Sequence, residues 1–140
     1  MTKPVIPEAI PEAIPEGYHT VTPYLLVADV PREIEFLRQA FGAEESYRST
    51  LPDGTVNHAA VRIGDSMVMM GQANEQYPAM PAMLYLYVAD VDATYEQALQ
   101  AGGTSVREIK DETYGDRVGG VKDAFDNQWW IATHKSASPG

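Results

Sequence analysis

The chain has 140 residues, 44% of them hydrophobic, which is enough for one folded domain with a sizeable core. Its formal net charge is −10, and a field of that sign repels phosphate backbones and anionic lipids, so neither a nucleic acid nor a membrane is expected as a partner. Cysteine is absent, which excludes disulfide bonds, a thiol nucleophile and a thiolate metal site.

Residues 1–17 differ in composition from the rest of the chain. Ile-Pro-Glu-Ala recurs every four residues from Ile6 to Glu16, and its prolines stand where a helix needs backbone N–H groups. An extended, polyproline-like leader is predicted, either a simple tail or a segment whose isoleucines dock on the domain. At the other end, residues 136–140 are predicted to be a flexible tail. The start lacks the apolar segment of a signal peptide, so the expected location is the cytoplasm.

A repeat organises the chain between these two ends. Residues 27–30, Val-Ala-Asp-Val, return unchanged as residues 88–91, and at the same offset Gly42 matches Gly103. Each copy has the pattern of a short strand, a capping Asp, a helix of about ten residues and a Gly that ends it. This shared pattern predicts an internal duplication.

Hydrophobic periodicity predicts the same order of elements in both halves. The first half contains a strand, a helix and three strands at residues 21–27, 31–41, 45–50, 56–63 and 66–71. The second half repeats them at residues 83–88, 92–101, 104–108, 118–122 and 128–134. The two βαβββ modules, at about 20–71 and 82–134 of a single domain spanning 18–135, are each too small to stand alone. The predicted fold is α+β, with an eight-stranded, incompletely closed mixed sheet around a cleft.

Strand alternation assigns the side chains to the two faces of this sheet. The more aliphatic face is expected to lie under the helices, and Trp129 belongs there because it has the parity of Ile131. The cleft face receives mainly methionine and aromatic side chains: Thr22, Tyr24, Met67, Met69, Met83, Tyr85, Tyr87 and Trp130, with His58 and Arg62 as polar groups. Rings and pliable thioethers suit a planar organic ligand. The alternative is that these side chains only fill the space between the four-stranded halves of the sheet that the two modules contribute.

Four polar residues need an interpretation of their own, and two of them, Arg117 and His58, have two. Arg117, in a predicted loop with Tyr114, either clamps a ligand's carboxylate or phosphonate or makes an internal salt bridge. Tyr114 is counted with the ligand-binding candidates. His58 is either a general base and ligand hydrogen-bonder or a sheet histidine without chemistry. His134 is expected at the surface, and lone histidines without carboxylates at ligand spacing do not predict a zinc site.

The two modules and several short motifs resemble the vicinal oxygen chelate superfamily, which includes glyoxalase I, bleomycin-resistance proteins, extradiol dioxygenases and fosfomycin-resistance enzymes. Residues 22–25, Thr-Pro-Tyr-Leu, open the similarity, and Asp123, Trp129 and residues 131–134, Ile-Ala-Thr-His, close it. Residues 15–19, 41–45, 63–65 and 114–117 resemble the PhnB-like branch in particular. The similarity runs from about Ile14 to His134 and implies the fold predicted above.

In the metal-dependent members of that superfamily, His and Glu side chains from four strands hold a divalent ion. The matching positions here are Thr22, Met69, Met83 and Trp130. Thioethers, a hydroxyl and an indole that can only donate do not form a ligand set for such an ion. In the third strand the branch often has His-Ala-Glu, whereas this chain has Ala60 in place of the acid. We expect no metal and no cofactor.

The resemblance implies a cytoplasmic homodimer that binds or sequesters a small organic molecule in a metal-free cleft, as an antibiotic-resistance protein does. The alternative is an enzyme of the glyoxalase superfamily, a lyase, oxidoreductase or epimerase. It would be either metal-free with His58 as the base or dependent on unconventional metal ligands. Whether one chain or two chains build the cleft is left open.

Overall fold

Two helices and eight strands make up the computed structural model, which describes residues 13–135. In chain order the elements are β1 (Tyr24–Val27), α1 (Val30–Phe41), β2 (Glu44–Thr50), β3 (Val56–Ile63), β4 (Ser66–Gln72), β5 (Met83–Tyr87), α2 (Val91–Gln100), β6 (Thr104–Asp111), β7 (Asp116–Lys122) and β8 (Gln128–His134). The order is βαβββ twice, as the sequence predicts. Most of the predicted leader, and the whole predicted tail, lie outside the described residues.

Both helices begin at the repeated aspartate. The Asp29 carboxylate accepts a hydrogen bond from the Arg32 backbone N–H at 3.1 Å, and the Asp90 carboxylate accepts one from Ala93 at the same distance. These bonds satisfy backbone N–H groups that the first turn of a helix leaves free. The first helix ends at Gly42, whose φ of 68° is the left-handed conformation that glycine adopts without strain.

The strands form two four-stranded sheets with matching topology. The first sheet has the order β1-β4-β3-β2 and the second has the order β5-β8-β7-β6. In each sheet the first strand pairs in parallel with the last, and the other pairs are antiparallel. The predicted α+β fold of two βαβββ modules is confirmed. Within one chain, however, the eight strands form two separate sheets and no closed barrel.

The helix-covered faces of both sheets share one interior. Leu25 from the first sheet and Trp129 from the second are fully buried in the same cluster, and Phe41 of α1 packs on the Trp129 ring at 5.3 Å between centroids. Phe36 and Phe41 also pack against the cluster around Val91 and Ile131, so α1 contributes to both clusters. The prediction that Trp129 lies in the interior is confirmed. The opposite face of each sheet, which we call its open face, is turned away from this interior.

Candidate functional site

The first open face is built from side chains of β1, β3 and β4 that point away from α1. Those with polar, thioether or aromatic groups are Tyr24, His58, Arg62, Met67 and Met69. The Tyr24 hydroxyl is hydrogen-bonded to Nδ1 of His58 at 3.1 Å, with the two rings stacked 5.6 Å apart. The Tyr47 ring centroid lies 5.8 Å from that of the imidazole, with the rings tilted. His58 is therefore in contact with two tyrosine rings.

A glycine makes this contact between Tyr24 and His58 possible. Gly71 lies opposite His58 in the pairing of β3 with β4, and a Cβ at Gly71 would stand 2.5 Å from the Tyr24 hydroxyl oxygen. Real Cβ atoms do not come so close to an oxygen. The missing side chain at Gly71 is thus the space through which the Tyr24 ring crosses β4 to reach the imidazole.

The second open face is organised around one buried carboxylate, that of Asp116, which is 2% exposed. Its Oδ2 accepts hydrogen bonds from the Tyr85 hydroxyl at 2.7 Å and from the Tyr87 hydroxyl at 2.9 Å. Its Oδ1 accepts one from Nδ1 of His134 at 2.8 Å. The Tyr114 hydroxyl adds a contact to the Tyr85 hydroxyl at 3.2 Å. One aspartate thus fixes three side chains that project from β5 and β8.

The protons of this cluster stay on the tyrosines. Hydrogen bonds from Tyr85, and then from His134, lower the pKa of the Asp116 carboxyl below its usual range. Burial raises the pKa of the Tyr85 phenol, and its bonds to Tyr114 and Asp116 raise it further. The bond to Asp116 likewise raises the pKa of Tyr87. An ionised carboxylate and two neutral phenols are the consistent state, because each shift favours it.

Trp130 lies on the same open face, flat over the backbone. A Cβ at Gly120 would meet three atoms of the indole at 3.1 Å, so the glycine lets the ring settle against β7. The Arg107 guanidinium carbon lies 5.0 Å from the indole centroid, in a cation–π arrangement. Arg107 is itself paired with Glu112 at 2.7 Å. The indole N–H donates to the Gln128 side chain at 3.1 Å.

The predicted binding residues divide between the two open faces. The residues on or beside the first are Thr22, Tyr24, His58, Arg62, Met67 and Met69, and those on the second are Met83, Tyr85, Tyr87, Tyr114 and Trp130. Among the described residues, no side-chain hydrogen bond or ring contact joins one set to the other. The structure therefore brings each set together, and the side-chain contacts of the described residues stay within each set.

Arg117 does not lie where a ligand clamp on the cleft face requires it. Its guanidinium reaches the helix-covered side, where it donates to Asp92 at 2.8 and 3.0 Å and pairs with Asp111 at 3.4 Å. The internal salt bridge, one of the two interpretations of this residue, is the arrangement observed. The other was wrong about its direction because Arg117 belongs to β7, where neighbouring residues point to opposite faces.

Sequence reasoning missed Asp116 as part of the open face, and it placed His134 on the cleft side of β8 without a partner. The predicted strand began at residue 118, so Asp116 was assigned to a loop, although its parity with Val118 would have placed it on this face. His134 was expected at the surface, and its side chain is 57% exposed, but its Nδ1 is engaged by Asp116. If the predicted strand had been extended by two residues, to residue 116, the alternation of its side chains would have placed Asp116 on the same face as His134.

The four positions that match the superfamily's metal ligands do not fit a metal ion here. Thr22 and Met69 belong to the first module, and Met83 and Trp130 to the second. Their donors are a hydroxyl, two thioethers and an indole N–H, a set without charge or a nitrogen lone pair. Within residues 13–135, no three His, Asp or Glu side chains lie close enough to hold a metal ion.

A groove of about 1000 Å³ runs along β5 between the two modules. Its remaining walls come from the start of β1, the end of α1, the turn between β3 and β4, and α2. Tyr24 of the first open face borders it, as do Met83, Tyr85 and Tyr87 of the second. β5 is an edge strand with a hydrogen-bonded neighbour on one side only. The groove therefore follows an unpaired strand edge.

Comparison with known proteins agrees with this architecture. Residues 18–131 match the model of the Glyoxalase/Bleomycin resistance protein/Dioxygenase superfamily. An uncharacterized protein of Mycobacterium bovis is 37% identical over 78% of this chain and 79% of its own length. The crystal structure of TioX from Micromonospora sp. ML1 superposes with a TM-score of 0.70 at 26% identity, covering 79% of this chain and 94% of TioX. The PhnB protein of Bacillus cereus shares the fold, with a TM-score of 0.65 at 19% identity over 82% of this chain and 99% of its own.

Two modules with βαβββ order, each with an open face of tyrosines and methionines, define a vicinal-oxygen-chelate fold protein. The chain belongs to the Glyoxalase/Bleomycin resistance protein/Dioxygenase superfamily, as the matched model over most of its length shows. Between residues 13 and 135, neither helix is long and apolar enough to cross a bilayer.

Proposed function

We propose that this protein is a cytoplasmic homodimer of the PhnB-like branch that binds or sequesters a small organic molecule, as resistance proteins of its superfamily do. The observation that carries the proposal is that large aromatic rings are exposed while hydrogen bonds to their hydroxyl groups hold them in place. Tyr87 is 64% exposed and Tyr24 50%, yet hydrogen bonds fix both tyrosines. Rings that are exposed and held in place are typical of recognition surfaces.

The dimer follows from what a single chain leaves uncovered. Each open face carries half of the predicted binding residues, and β5 has a free edge that invites pairing or coverage. A second copy placing its first open face against the second open face of this chain completes a cleft. Two-fold symmetry then builds two identical clefts, each with one wall from each copy.

A ligand screen tests the binding function, with the two tryptophans as reporters. Compounds that raise the melting temperature are added to ¹⁵N-labelled protein, and both indole N–H signals are followed by NMR. A ligand of the cleft shifts the Trp130 signal and leaves the Trp129 signal in place, because Trp129 is 0% exposed and donates to Asp123. Ligands that move neither signal, or only that of Trp129, would contradict the proposed site.

A catalytic function is the second candidate, and one contact favours it. His134 donates from Nδ1 to Asp116, which leaves Nε2 directed away from the carboxylate and free to take a proton, as in hydrolase triads. His58, the base that the sequence suggested, has a phenol as its partner instead of a carboxylate. Mass spectrometry of any screened ligand after prolonged incubation separates the two functions. An unchanged ligand supports binding, whereas conversion that is lost in His134→Gln supports catalysis.

A further inference from the structure

The hydrogen bonds of Asp116 decide which groups on the second open face can donate a hydrogen bond and which can only accept one. The hydroxyl groups of Tyr85 and Tyr87 each donate their single proton in a hydrogen bond to Oδ2 of Asp116, at 2.7 and 2.9 Å. A phenol has one proton to donate and two lone pairs to offer. Towards anything that lies on this face, both phenol oxygens can therefore only accept. A ligand that meets them must bring hydrogen-bond donors.

Among the described residues, no lysine or arginine pairs with the Asp116 carboxylate, whose partners are the two phenols and the His134 imidazole. Arg107 and Lys110 of β6 share the Glu112 carboxylate at 2.7 and 3.9 Å. Arg117 is on the other face, bound to Asp92 and Asp111. The two phenols donate to the oxygen Oδ2 of this ionised carboxylate, and such a charged acceptor makes the phenol oxygens stronger acceptors in turn. The same negative charge makes the surface favourable for a cation.

The aromatic surfaces next to these oxygens add a second reason. The rings of Tyr85 and Tyr87 lie 5.3 Å apart and tilted by 57°, forming a shallow corner on the open face. Tyr114, 58% exposed, touches Tyr85 through its hydroxyl. The π-face of a tyrosine attracts a cation and stacks on a flat apolar group. Acceptor oxygens and π-faces thus occur side by side.

We propose that the second open face recognises a flat organic cation, such as a protonated arylmethylamine, whose N–H groups donate to the Tyr85 and Tyr87 oxygens while its apolar part lies against the tyrosine rings. The proposal rests on the small-molecule function proposed above and names the chemical class of its ligand. Asp116 is the positioning residue: it touches no ligand but holds both phenols with their lone pairs outward. The net charge of −10 attracts the same class of molecule over longer distances.

Three probes with one ring system and different charges test this inference. They are 2-naphthylmethylammonium, 2-naphthylmethanol and 2-naphthoate, titrated at pH 8 while the Trp130 indole N–H signal is followed by NMR. The ammonium probe is expected to bind roughly tenfold more tightly than the alcohol, and the carboxylate to bind weakest. Equal affinities, or tighter binding of the alcohol or the carboxylate, would contradict the preference for a cation but not the presence of a binding site. If no probe shifts the Trp130 signal, the proposed binding surface is contradicted as well.

Variants separate the role of Asp116 from a merely structural one. Asp116→Asn supplies an amide that can donate to a phenol, so the preference for the ammonium over the alcohol should fall to about twofold or less while the affinity for the alcohol is kept. Tyr87→Phe removes one acceptor from an exposed side chain and should reduce the preference without affecting folding. Asp126→Asn is the matched control, because it removes the same charge from the exposed turn beyond the far end of β7. An unchanged preference in both Asp116→Asn and Tyr87→Phe, or the same loss in Asp126→Asn, contradicts the proposal.

Discussion

At the residue scale, the least expected feature of the interior is the acid Glu33. It is fully buried on α1, where its Oε2 accepts from the Asn127 side chain at 3.1 Å. Burial, and then the neighbouring Asp123 carboxylate, raise the pKa of Glu33 to about 9. The carboxyl group therefore keeps its proton at neutral pH. Glu33 and Asn127 together link the first helix to the turn between β7 and β8, across the boundary of the two modules.

Replacement of Glu33 by Gln should change how stability depends on pH. The folded protein holds a proton that the unfolded chain releases above pH 4.5, so stability is greatest below that value and falls as the pH rises towards 9. The loss amounts to about 1.4 kcal/mol per pH unit for one proton. Glu33→Gln, which resembles the protonated acid, should lack this slope. Urea unfolding of the wild type and of Glu33→Gln between pH 5.5 and 8.5 measures this slope. Parallel curves of stability against pH for the two proteins would contradict a protonated Glu33.

The two adjacent tryptophans should differ both in stability and in exposure. Trp129→Ala removes a fully buried indole and should cost roughly 3–5 kcal/mol, whereas Trp130→Ala should cost less because the open face is partly solvated. In single-tryptophan proteins, acrylamide should quench the fluorescence of Trp130, left in Trp129→Phe, more than that of Trp129, left in Trp130→Phe. The reverse order of quenching would show that the faces of β8 are assigned the wrong way round.

The purified protein should carry no stoichiometric Ni, Zn, Fe or Mn at the superfamily's site. The reason is the chemistry of Thr22, Met69, Met83 and Trp130, which lack the lone pairs and charge that hold such ions. Elemental analysis after extensive dialysis measures the metal content. One equivalent of metal that disappears on substitution of any of these four residues would contradict this account.

At the element scale, sequence periodicity predicted every strand and helix, with errors only at their ends. The helices were predictable because the repeated Asp caps and the apolar stripe act locally. Strand ends depend on partners instead. β1 begins at Tyr24, where pairing with Met69 starts, three residues later than its apolar character suggested. β7 begins at Asp116 because His134 lies opposite it, and that partner cannot be read from residues 116–122 alone.

The relation between the two sheets could not be predicted from alternation. Alternation tells which side chains share a face of one sheet, but it does not say how the two sheets are arranged. That arrangement follows from packing, since Phe36 and Phe41 of α1 contact the clusters of both modules. Alternation placed the candidate residues of the strands on the faces that the pairing registers show, while Arg117 lies on the helix-covered face. That they bind a ligand stays a prediction.

The close approach of Tyr24 to β4 can be tested through Gly71. In Gly71→Ala the new methyl group would occupy the place of the Tyr24 hydroxyl, so the ring must swing out and the hydrogen bond to His58 should be lost. A stability cost of about 1–3 kcal/mol is expected for such overpacking. Nuclear Overhauser contacts between the Tyr24 ring and the imidazole report the change. Their persistence in the variant would show that the ring does not depend on the glycine.

At the scale of the whole molecule, a single chain leaves both open faces and the edge of β5 uncovered. Sedimentation velocity at micromolar concentration should therefore find a species of twice the chain mass of 15.4 kDa. In such a dimer, the second copy would also protect the strand edge from uncontrolled pairing. A stable monomer under the same conditions would contradict a cleft that two copies share.

The central claim, a ligand cleft with one wall from each copy, is tested most directly by mixing two damaged proteins. Tyr24→Ala damages the first open face and Trp130→Ala the second, and each homodimer should lose binding of a ligand selected by the screen. After the two variants are unfolded and refolded together, half of the dimers are mixed and each has one intact cleft. Calorimetric titration should then recover about a quarter of the wild-type number of sites at wild-type affinity. A mixture that binds no more ligand than the separate variants would show that each cleft belongs to a single chain.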